Sequence, residues 1–346
     1  MDSKSNVTQL LEQIDAPALI VKQGAIIAVN QTAKSHFISP DASIEDALGP
    51  YYQDYCQLKS GSLFLTVHFC KTDYPCAIHT MDDQHLFVLE EPMQEDHLQA
   101  FTLAAAHLRT PISEMMLALD ALPKEDVKTR GKLNRSLFRL QRIVGNMSDA
   151  GMLLHNSKNT NADLCSITEE VLEQASALFE ACDIEFTYQL PQERIYALAN
   201  SELIKRAVYN LLSNAVKFSK NSHPIDFKVE KCGNRLLFSV TNLAEDKIMP
   251  HNLFNRYKRI PMIEDPRYGM GLGMAIIKSA ACNHGGTVLI EKSNDGMIRI
   301  TMSITLKKSS AVVVRTPIII PDIYGGQSQA LIELSDVLSA SMYENL

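Results

Sequence analysis

The sequence predicts a multidomain α+β protein, and changes of pattern along the chain define its parts. Up to about residue 92, short segments alternate apolar and polar residues, which is typical of half-buried strands. Between about residues 93 and 157, apolar residues recur every three or four positions, as they do along packed helices. From residue 160, strand and helix patterns occur together, and glycines cluster before one helix pattern. This pattern ends at about residue 308, where a C-terminal extension begins.

The overall composition argues against several classes of function. The 346 residues suffice for two or three domains with separate cores. The chain carries 33 Lys and Arg against 40 Asp and Glu, with no basic stripe, so nucleic-acid binding is not expected. It shows no apolar run long enough to span a bilayer and no signal-peptide character, and its seven scattered cysteines fit a reducing compartment. We therefore expect a cytoplasmic protein with no membrane span.

The first part of the chain is predicted to be a small α+β module. Its strands are short alternating segments separated by turns. These segments are 18–21, 24–30, 63–68 and 86–89. Two histidines and two cysteines of the module, His68, Cys70, Cys76 and His79, suggest a metal or haem site. Their spacing matches no zinc pattern, so ordinary core cysteines and surface histidines are the favoured interpretation.

The second part predicts an antiparallel helical hairpin. Its first helix has an apolar stripe with steps of four and three, and a turn at Pro123 leads to a second striped helix. The first stripe is Phe101, Ala105, Leu108, Ile112, Met115, Leu119 and Leu122, and the second is Leu133, Leu137, Leu140, Val144 and Met147. A hairpin with one apolar stripe per helix is half of a four-helix bundle, so we expect a homodimer through the hairpin.

Two helices of the third part can be located from their patterns. Segment 166–169, Ser-Ile-Thr-Glu, has the spacing of a capping box and predicts the start of one helix. In a second helix, Asn210, Asn214 and Lys217 lie on one stripe. Its buried face is predicted to be Leu203, Ile204, Ala207, Val208, Leu211, Leu212, Ala215 and Val216. Amide oxygens suit Mg²⁺ and a lysine suits phosphate, although an ordinary polar helix edge is the alternative.

The most informative segment is 267–278, in which Gly269, Gly271 and Gly273 alternate just before an apolar helix pattern. Glycine allows positive φ and a close approach of the backbone to a ligand. A helix N-terminus presents unpaired N–H groups to an anion, so the segment predicts a phosphate cradle. Many glycine-rich turns before helices bind nothing, and the motif alone leaves that alternative open.

Taken together, segments 210–217 and 267–278 resemble the N box and the second glycine box of bacterial sensor histidine kinases, in their Bergerat or GHKL ATP-binding domain. Segment 253–257 resembles the F box, and segment 284–290 resembles the strand entry after the glycine helix. The resemblance runs from about residue 101 to residue 306. It implies binding of ATP and Mg²⁺, a homodimer, and phosphoryl transfer through a histidine to an aspartate of a response regulator.

Segments 14–21 and 27–30, separated by a glycine turn, resemble the opening of a PAS sensor domain, so residues 1–92 would be a PAS-like sensory module. The kinase resemblance implies that residues 93–157 are a dimerisation and histidine phosphotransfer hairpin and that residues 160–308 are an α/β-sandwich ATP-binding domain. Residues 309–346 would be a C-terminal extension with a short amphipathic helix, because Leu331, Leu334 and Leu338 have helical spacing. This helix could dock on its own domain or on a partner, and packing on its own domain is preferred.

Segment 101–111 resembles the phosphoacceptor box, whose usual form is F-x-x-x-x-x-H-E-L-R-T-P. The resemblance assigns His107 as the phosphoacceptor and Thr110 as the residue that positions water for dephosphorylation of the regulator. The acidic residue after the histidine is missing, because Leu108 follows directly. A carboxylate there would fix the imidazole tautomer and take up its proton. Its loss leaves open the alternative that His107 is an ordinary solvated histidine on a bundle helix.

Around the nucleotide base and the lid, the resemblance assigns three further positions. Asn242 replaces an aspartate that accepts a hydrogen bond from the adenine amino group, and Ala244 replaces a glycine. A neutral amide should make this bond weaker by about 1 kcal/mol. Arg259, with Arg256 and Lys258, is expected to reach the γ-phosphate, and a charged lid that is only solvated is the alternative.

Three functions follow from these assignments. The leading hypothesis is a cytoplasmic sensor histidine kinase that phosphorylates His107 and passes the phosphoryl group to a response-regulator receiver domain. The second is a degenerate kinase that acts as a dimeric signalling scaffold. The third is a response-regulator phosphatase without autokinase activity.

Overall fold

The computed structural model describes residues 11–36, 38–90, 95–121, 126–152, 159–220, 223–244, 272–307, 328–344 and 346. Its strands are β1 (Ala18–Lys22), β2 (Ala25–Val29), β3 (Ser62–Phe69), β4 (Thr72–Met81), β5 (Gln84–Leu89), β6 (Thr160–Asp163), β7 (Phe186–Gln189), β8 (Tyr196–Ala199), β9 (Ile225–Cys232), β10 (Arg235–Leu243), β11 (Val288–Lys292) and β12 (Met297–Thr305). Its α-helices are α1 (Gln31–Ser35), α2 (Ile44–Leu48), α3 (Tyr52–Gln57), α4 (Glu95–Asp120), α5 (Val127–Met152), α6 (Leu164–Glu180), α7 (Ser201–Phe218), α8 (Leu272–Asn283) and α9 (Gln329–Glu333). Within these ranges, no helix is both long and apolar enough to cross a membrane.

Strands from both halves of the chain join in one ten-stranded sheet, in the order β2-β1-β5-β4-β3-β11-β12-β10-β9-β7. Strands β7 and β9 are parallel, and the other neighbours are antiparallel. The two halves meet where residues 62–64 of β3 pair with residues 288–290 of β11. Gly61 permits this approach, because a Cβ at that position would lie 2.2 Å from the carbonyl oxygen of Ile290.

The five N-terminal strands share a core of their own, and Asn30 ties its first strand to its first helix. The Asn30 Oδ1 accepts hydrogen bonds from the backbone N–H groups of Ala18 and Ala33. The second of these bonds caps α1. The Asn30 Nδ2 donates to the carbonyl oxygens of Ile14 and Ala16. One asparagine therefore fixes three segments of this module.

The histidines and cysteines considered as metal ligands are spread along β3 and β4 and the turn between them. His79 and Cys76 are buried, whereas His68 and Cys70 are exposed. Within the described part of the chain, no group of three or more His, Cys, Asp or Glu side chains could hold a metal ion.

Helices α4 and α5 pack on each other through only part of the predicted apolar stripes. Ala105, Ile112 and Val144 are buried in this contact. Leu122 and the side chain of Phe101 lie outside the described residues. Alternate members of the stripes are 41–47% exposed, namely Leu108, Met115, Leu133 and Leu140. The stripe predicted as one face is thus divided between a buried face and an exposed face.

In the C-terminal half, α6, α7 and α8 share a core with the sheet. Side chains of β10 alternate, so that Leu236, Phe238 and Val240 point into this core. On α7, the predicted buried face is confirmed, except that Val216 is only half-buried. The mixed α+β fold with an α/β sandwich is confirmed here.

The predicted start of α6 was wrong. The helix begins at Leu164, and the Asp163 Oδ1 accepts from the Ser166 N–H at 3.4 Å. Asp163 therefore caps the helix, and the Ser-x-x-Glu pattern at 166–169 lies inside its first turns. Both aspartate and serine are good N-caps, and the register of the chain in β6 selects the aspartate.

The C-terminal segment 328–344 is docked on the same chain, as preferred from the sequence. Its helix α9 ends at Glu333, so Leu334 and Leu338 lie beyond the helix that their spacing predicted. Leu334, Leu338 and Tyr343 are fully buried in the core that α6 and α7 share. The Tyr343 ring packs edge-to-face on Phe138 of α5, with centroids 5.2 Å apart. This segment therefore connects α5 to the sandwich.

Candidate functional site

The polar stripe of α7 faces other parts of the chain rather than open solvent. Asn210 is 1% exposed, and its Oδ1 accepts a hydrogen bond from the Arg142 Nη2 at 3.0 Å. Its Nδ2 donates to the Arg206 carbonyl oxygen at 2.8 Å, one helical turn earlier. One turn later, Asn214 is half-buried. The stripe is therefore a boundary between α7 and α5, a position that its residue types alone did not indicate.

Helix α8 begins directly beside the two asparagines. A Cβ added at Gly273 would lie 2.8 Å from the Asn210 Oδ1 and 3.8 Å from the Asn214 Oδ1. A Cβ at the shorter distance would overlap an amide oxygen that Arg142 holds, so close approach rather than positive φ favours glycine here. The structure thus brings together Asn210, Asn214 and Gly273, which are about sixty positions apart in the sequence. A helix N-terminus beside two amides suits a phosphate group with its metal ion.

Lys217, the third member of the stripe, lies beside a carboxylate of the C-terminal segment. Its Nζ is 3.7 Å from the Asp336 Oδ2. Asp336 also accepts from Arg142 at 3.0 Å and from Arg139 at 3.2 Å. Burial raises the pKa of Asp336, but the positive charges of Arg142, Lys217 and Arg139 outweigh it and hold the pKa below its ordinary value. The carboxylate is therefore ionised at neutral pH.

A second buried carboxylate lies in the same cluster. Glu333 is 1% exposed and accepts from the Arg206 Nε at 3.0 Å. Its other oxygen is 3.6 Å from the Arg142 Nε, too long for a hydrogen bond, and both of those atoms are buried without hydrogen-bond partners within the described structure. The Arg206 Nη2 donates to the Asn146 Oδ1 at 2.6 Å. Sequence reasoning missed this cluster, because single arginines and carboxylates on helices are usually solvated and carry no distinguishing signal.

Asn242 lies at the end of β10, on the inner face of the sheet with Val240. It is 3% exposed, and its Nδ2 is buried without a hydrogen-bond partner in the part of the chain that the structure describes. A buried donor without a partner is costly, so an amide kept at this position fits a ligand that accepts from it. Ala244 follows in an isolated bridge with Ser219 and does not have positive φ. The backbone at this position therefore accepts alanine in place of the expected glycine.

The candidate phosphoacceptor lies on α4, away from the stripe of α7 in sequence. His107 and Thr110 are both exposed. Leu108, the residue in place of the usual acid, is 44% exposed. Arg259, Gly269 and Gly271 lie outside the described residues, as does the F-box-like segment 253–257.

Comparison with protein families decides what this sandwich is. Residues 199–309 match the family described as histidine kinase-, DNA gyrase B-, and HSP90-like ATPase. This part of the chain is a domain of that ATPase family. The match contains Asn210, Asn214, Lys217, Asn242 and Gly273, so the boxes recognised in the sequence lie within the ATPase domain.

The relatives of the chain include proteins named as histidine kinases and as sensor proteins. Hybrid signal transduction histidine kinase D of Dictyostelium discoideum is 26% identical over 231 residues, which cover 62% of this chain and 15% of that protein. Probable sensor protein PcoS of Escherichia coli is 30% identical over 213 residues, covering 56% of this chain and 44% of that protein. The chain therefore spans less than half the length of either relative.

Among solved structures, histidine kinase ThkA in complex with the response regulator protein TrrA is 17% identical, with a TM-score of 0.41. The match covers 86% of this chain and 98% of that chain. The resemblance of this chain to bacterial sensor histidine kinases is confirmed by its ATPase domain and by its relatives.

Proposed function

We propose that this chain is a cytoplasmic sensor histidine kinase of a two-component system. It binds ATP with Mg²⁺, transfers the γ-phosphoryl group to His107, and passes it to an aspartate of a response-regulator receiver domain. One observation carries the proposal: Asn210, Asn214 and the first turn of α8 converge within a domain of the histidine kinase-like ATPase family.

Several residues of the site have a proposed role in binding. Asn214 is half-buried, and its amide oxygen would bind Mg²⁺, which would neutralise phosphate charge when bound. Lys217 is a point charge for a phosphate oxygen, and Gly273 lets the backbone of α8 come close. Gly269, Gly271 and Arg259 would complete the phosphate site from outside the described residues.

The nucleotide base has a proposed partner in Asn242. An amide can accept a hydrogen bond from the adenine amino group and donate one to a ring nitrogen. The buried Asn242 Nδ2, which has no hydrogen-bond partner among the described residues, fits the second of these bonds. Asn242 therefore suits adenine although it lacks the charge of an aspartate.

For the chemical step, the neutral His107 imidazole attacks the γ-phosphorus, the bond to the β-γ bridging oxygen breaks, and ADP leaves. Phosphoryl transfer depends mainly on positioning and charge neutralisation, which the α7 and α8 residues would supply. His107 is exposed, so water can take up the imidazole proton in the absence of an adjacent carboxylate. We expect this step to be slow, because no carboxylate next to His107 orients the imidazole or takes up its proton.

Dimerisation through the hairpin is supported by the exposed half of the apolar stripes. Leu108 and Met115 of α4 and Leu133 and Leu140 of α5 are 41–47% exposed, and a second hairpin would cover them as a four-helix bundle. Leu140→Lys should therefore shift the protein from dimer to monomer in light scattering. An unchanged mass with Leu140→Lys and Met115→Lys combined would contradict the bundle.

The alternative is a kinase-like protein that does not phosphorylate itself. The observation that favours it is Leu108, which replaces the acidic residue after the phosphoacceptor. Such a protein would bind ATP, form the dimer, and act as a signalling scaffold or as a response-regulator phosphatase through Thr110.

Incubation with γ-labelled ATP and Mg²⁺ tests the proposal. We expect an acid-labile label that is lost in His107→Gln and kept in His68→Gln, a matched change of another exposed histidine. Binding of ATP without any label over hours would select the alternative. Absence of nucleotide binding in the presence of Mg²⁺ would overturn both.

A further inference from the structure

The side chains proposed for the nucleotide are already bound to charged groups of this chain. The Arg142 guanidinium donates to the Asn210 Oδ1, to the Ser213 Oγ and to the Asp336 Oδ2, each at 3.0 Å. The same Asp336 oxygen lies 3.7 Å from the Lys217 Nζ. An internal cation thus contacts an amide of the proposed site, and an internal carboxylate lies beside the lysine proposed for phosphate.

The cluster has more positive than negative side chains, which favours binding of a further anion. Four cations lie within ion-pair distance of two carboxylates, Glu333 and Asp336. The cations are Arg139, Arg142, Arg206 and Lys217. Asp336 is the less buried carboxylate, with 26% of its side chain exposed against 1% for Glu333. A phosphate group carries more charge than a carboxylate, and arginines bind it well. Asp336 is therefore the group that a phosphate would replace.

The backbone around Asp336 is fixed to α5. The Arg135 side chain donates to the carbonyl oxygens of Ser335 and Asp336, each at 3.1 Å. The Asn134 Nδ2 donates to the Tyr343 carbonyl oxygen at 2.9 Å. These bonds place the Asp336 carboxylate, since they hold the segment on both sides of it.

Gly131 of α5 permits this docking. A Cβ at Gly131 would lie 2.8 Å from the Ala340 carbonyl oxygen and 2.6 Å from the Glu344 Cγ. The first contact is with backbone, so an added methyl group would have to displace the segment. In a helix interior glycine is otherwise unfavourable, and close approach explains its presence.

We propose that residues 328–344 form an internal latch in which Asp336 competes with the nucleotide phosphate for Lys217 and Arg142. The latched state also ties α5 to α7, because Arg142 bonds both Asp336 and Asn210. Nucleotide binding and release of the segment would then favour each other, and Arg142 would be left to contact the phosphate. This proposal rests on the proposed nucleotide site.

Titration of the whole protein with a non-hydrolysable ATP analogue and Mg²⁺, followed by calorimetry, tests the latch. In Asp336→Asn the competing charge is removed, and we expect binding about three- to tenfold tighter, the effect of about one hydrogen bond. Asp54→Asn is the matched control, because Asp54 is 27% exposed and lies on α3 of the N-terminal module, where it pairs with Arg235 of β10. It should bind like the original chain.

A second variant tests the latch without changing a charge. Gly131→Ala should displace the segment sterically and also tighten binding. Equal or weaker binding in both Asp336→Asn and Gly131→Ala, with the original chain binding well, would overturn the latch and leave the nucleotide site standing. A gain in Asp336→Asn alone would support competition by the side chain and overturn release of the segment. Failure of every variant and of the original chain to bind would overturn the nucleotide site and the latch together.

Discussion

The ATPase domain is held by the rest of the chain at two places that use different interactions. At its edge strand, residues 288–290 pair with the N-terminal module through backbone hydrogen bonds, with the ion pair of Lys278 and Glu90 nearby. At α7, the contact with α5 and the C-terminal segment depends on buried side-chain charges. A backbone ladder is insensitive to most substitutions, whereas a buried charge cluster needs every partner. The second contact is therefore the one that a charged ligand can disturb.

Removal of Glu333 should break the charged contact and have the largest effect. Its side chain is 1% exposed, and Glu333→Ala leaves the Arg206 guanidinium buried without that partner. We expect the free energy of unfolding, measured in urea, to fall by about 3–5 kcal/mol. Glu170→Ala is the control, since Glu170 is 52% exposed in its pair with Lys205 and should contribute less than about 1 kcal/mol. Equal losses of unfolding free energy in the two variants would show that the buried cluster stabilises the fold no more than an exposed ion pair does.

Gly61→Ala should break the backbone contact with a smaller effect. Gly61 has φ +99°, and an added Cβ would meet the Ile290 carbonyl oxygen at 2.2 Å. We expect a loss of about 2–3 kcal/mol and faster hydrogen exchange in residues 288–290. Gly24→Ala is the matched control, because Gly24 has φ +78° but open space around it. If exchange in β11 is the same in both variants, the pairing with β3 does not hold the module.

Lys278→Met sharpens the comparison by removing a charge pair that lies beside the backbone contact. Lys278 is 4% exposed, pairs with Glu90, and lies 4.3 Å from the centroid of the Phe64 ring. Methionine keeps the apolar stem, and Glu90 is 19% exposed and can be hydrated, so we expect a loss of about 1–2 kcal/mol. Lys228→Met, at a 42% exposed side chain, should change the thermal midpoint very little. A loss as large as that of Glu333→Ala would remove the distinction between the two contacts.

The dependence on pH should be the smallest effect, and it should come from His284 rather than from Asp336. Burial lowers the pKa of His284, whose Nε2 accepts from the Asn200 N–H at 3.0 Å. Neutral His284 contributes fully to the free energy of unfolding above its pKa in the unfolded chain, about 6.5. This contribution is lost as the pH falls through the lower pKa of the folded state. Asp336, also with a lowered pKa, contributes at every pH above about 4. Unfolding in urea at pH 8, 6.5 and 5 should show a decline in the free energy of unfolding that His284→Gln reduces; burial also lowers the pKa of His85, which contributes in the same direction. A decline that His284→Gln leaves in place would point to another group.

Much of the ATPase domain could be predicted from the sequence, because its helices and strands have regular patterns. The buried face of α7 and the alternation of β10 follow from local periodicity. The start of α6 predicted from the capping-box pattern was wrong. Asp163 and Ser166 are both good N-caps, and only the register of β6 selects Asp163. The prediction of one buried face per helix in the hairpin was only partly right. An apolar stripe does not reveal which of its members face the second helix and which remain exposed.

The sequence by itself determined the ATPase family, the amide-bearing helix and the position of the candidate phosphoacceptor. These properties reside in residue types at short, fixed spacings, which local geometry places on one face or one turn. The tertiary structure alone decided that β3 would pair with β11 and that Asp336 would lie beside Lys217. Such contacts join segments far apart in the chain, and they depend on close packing at Gly61 and Gly131 that no local pattern encodes.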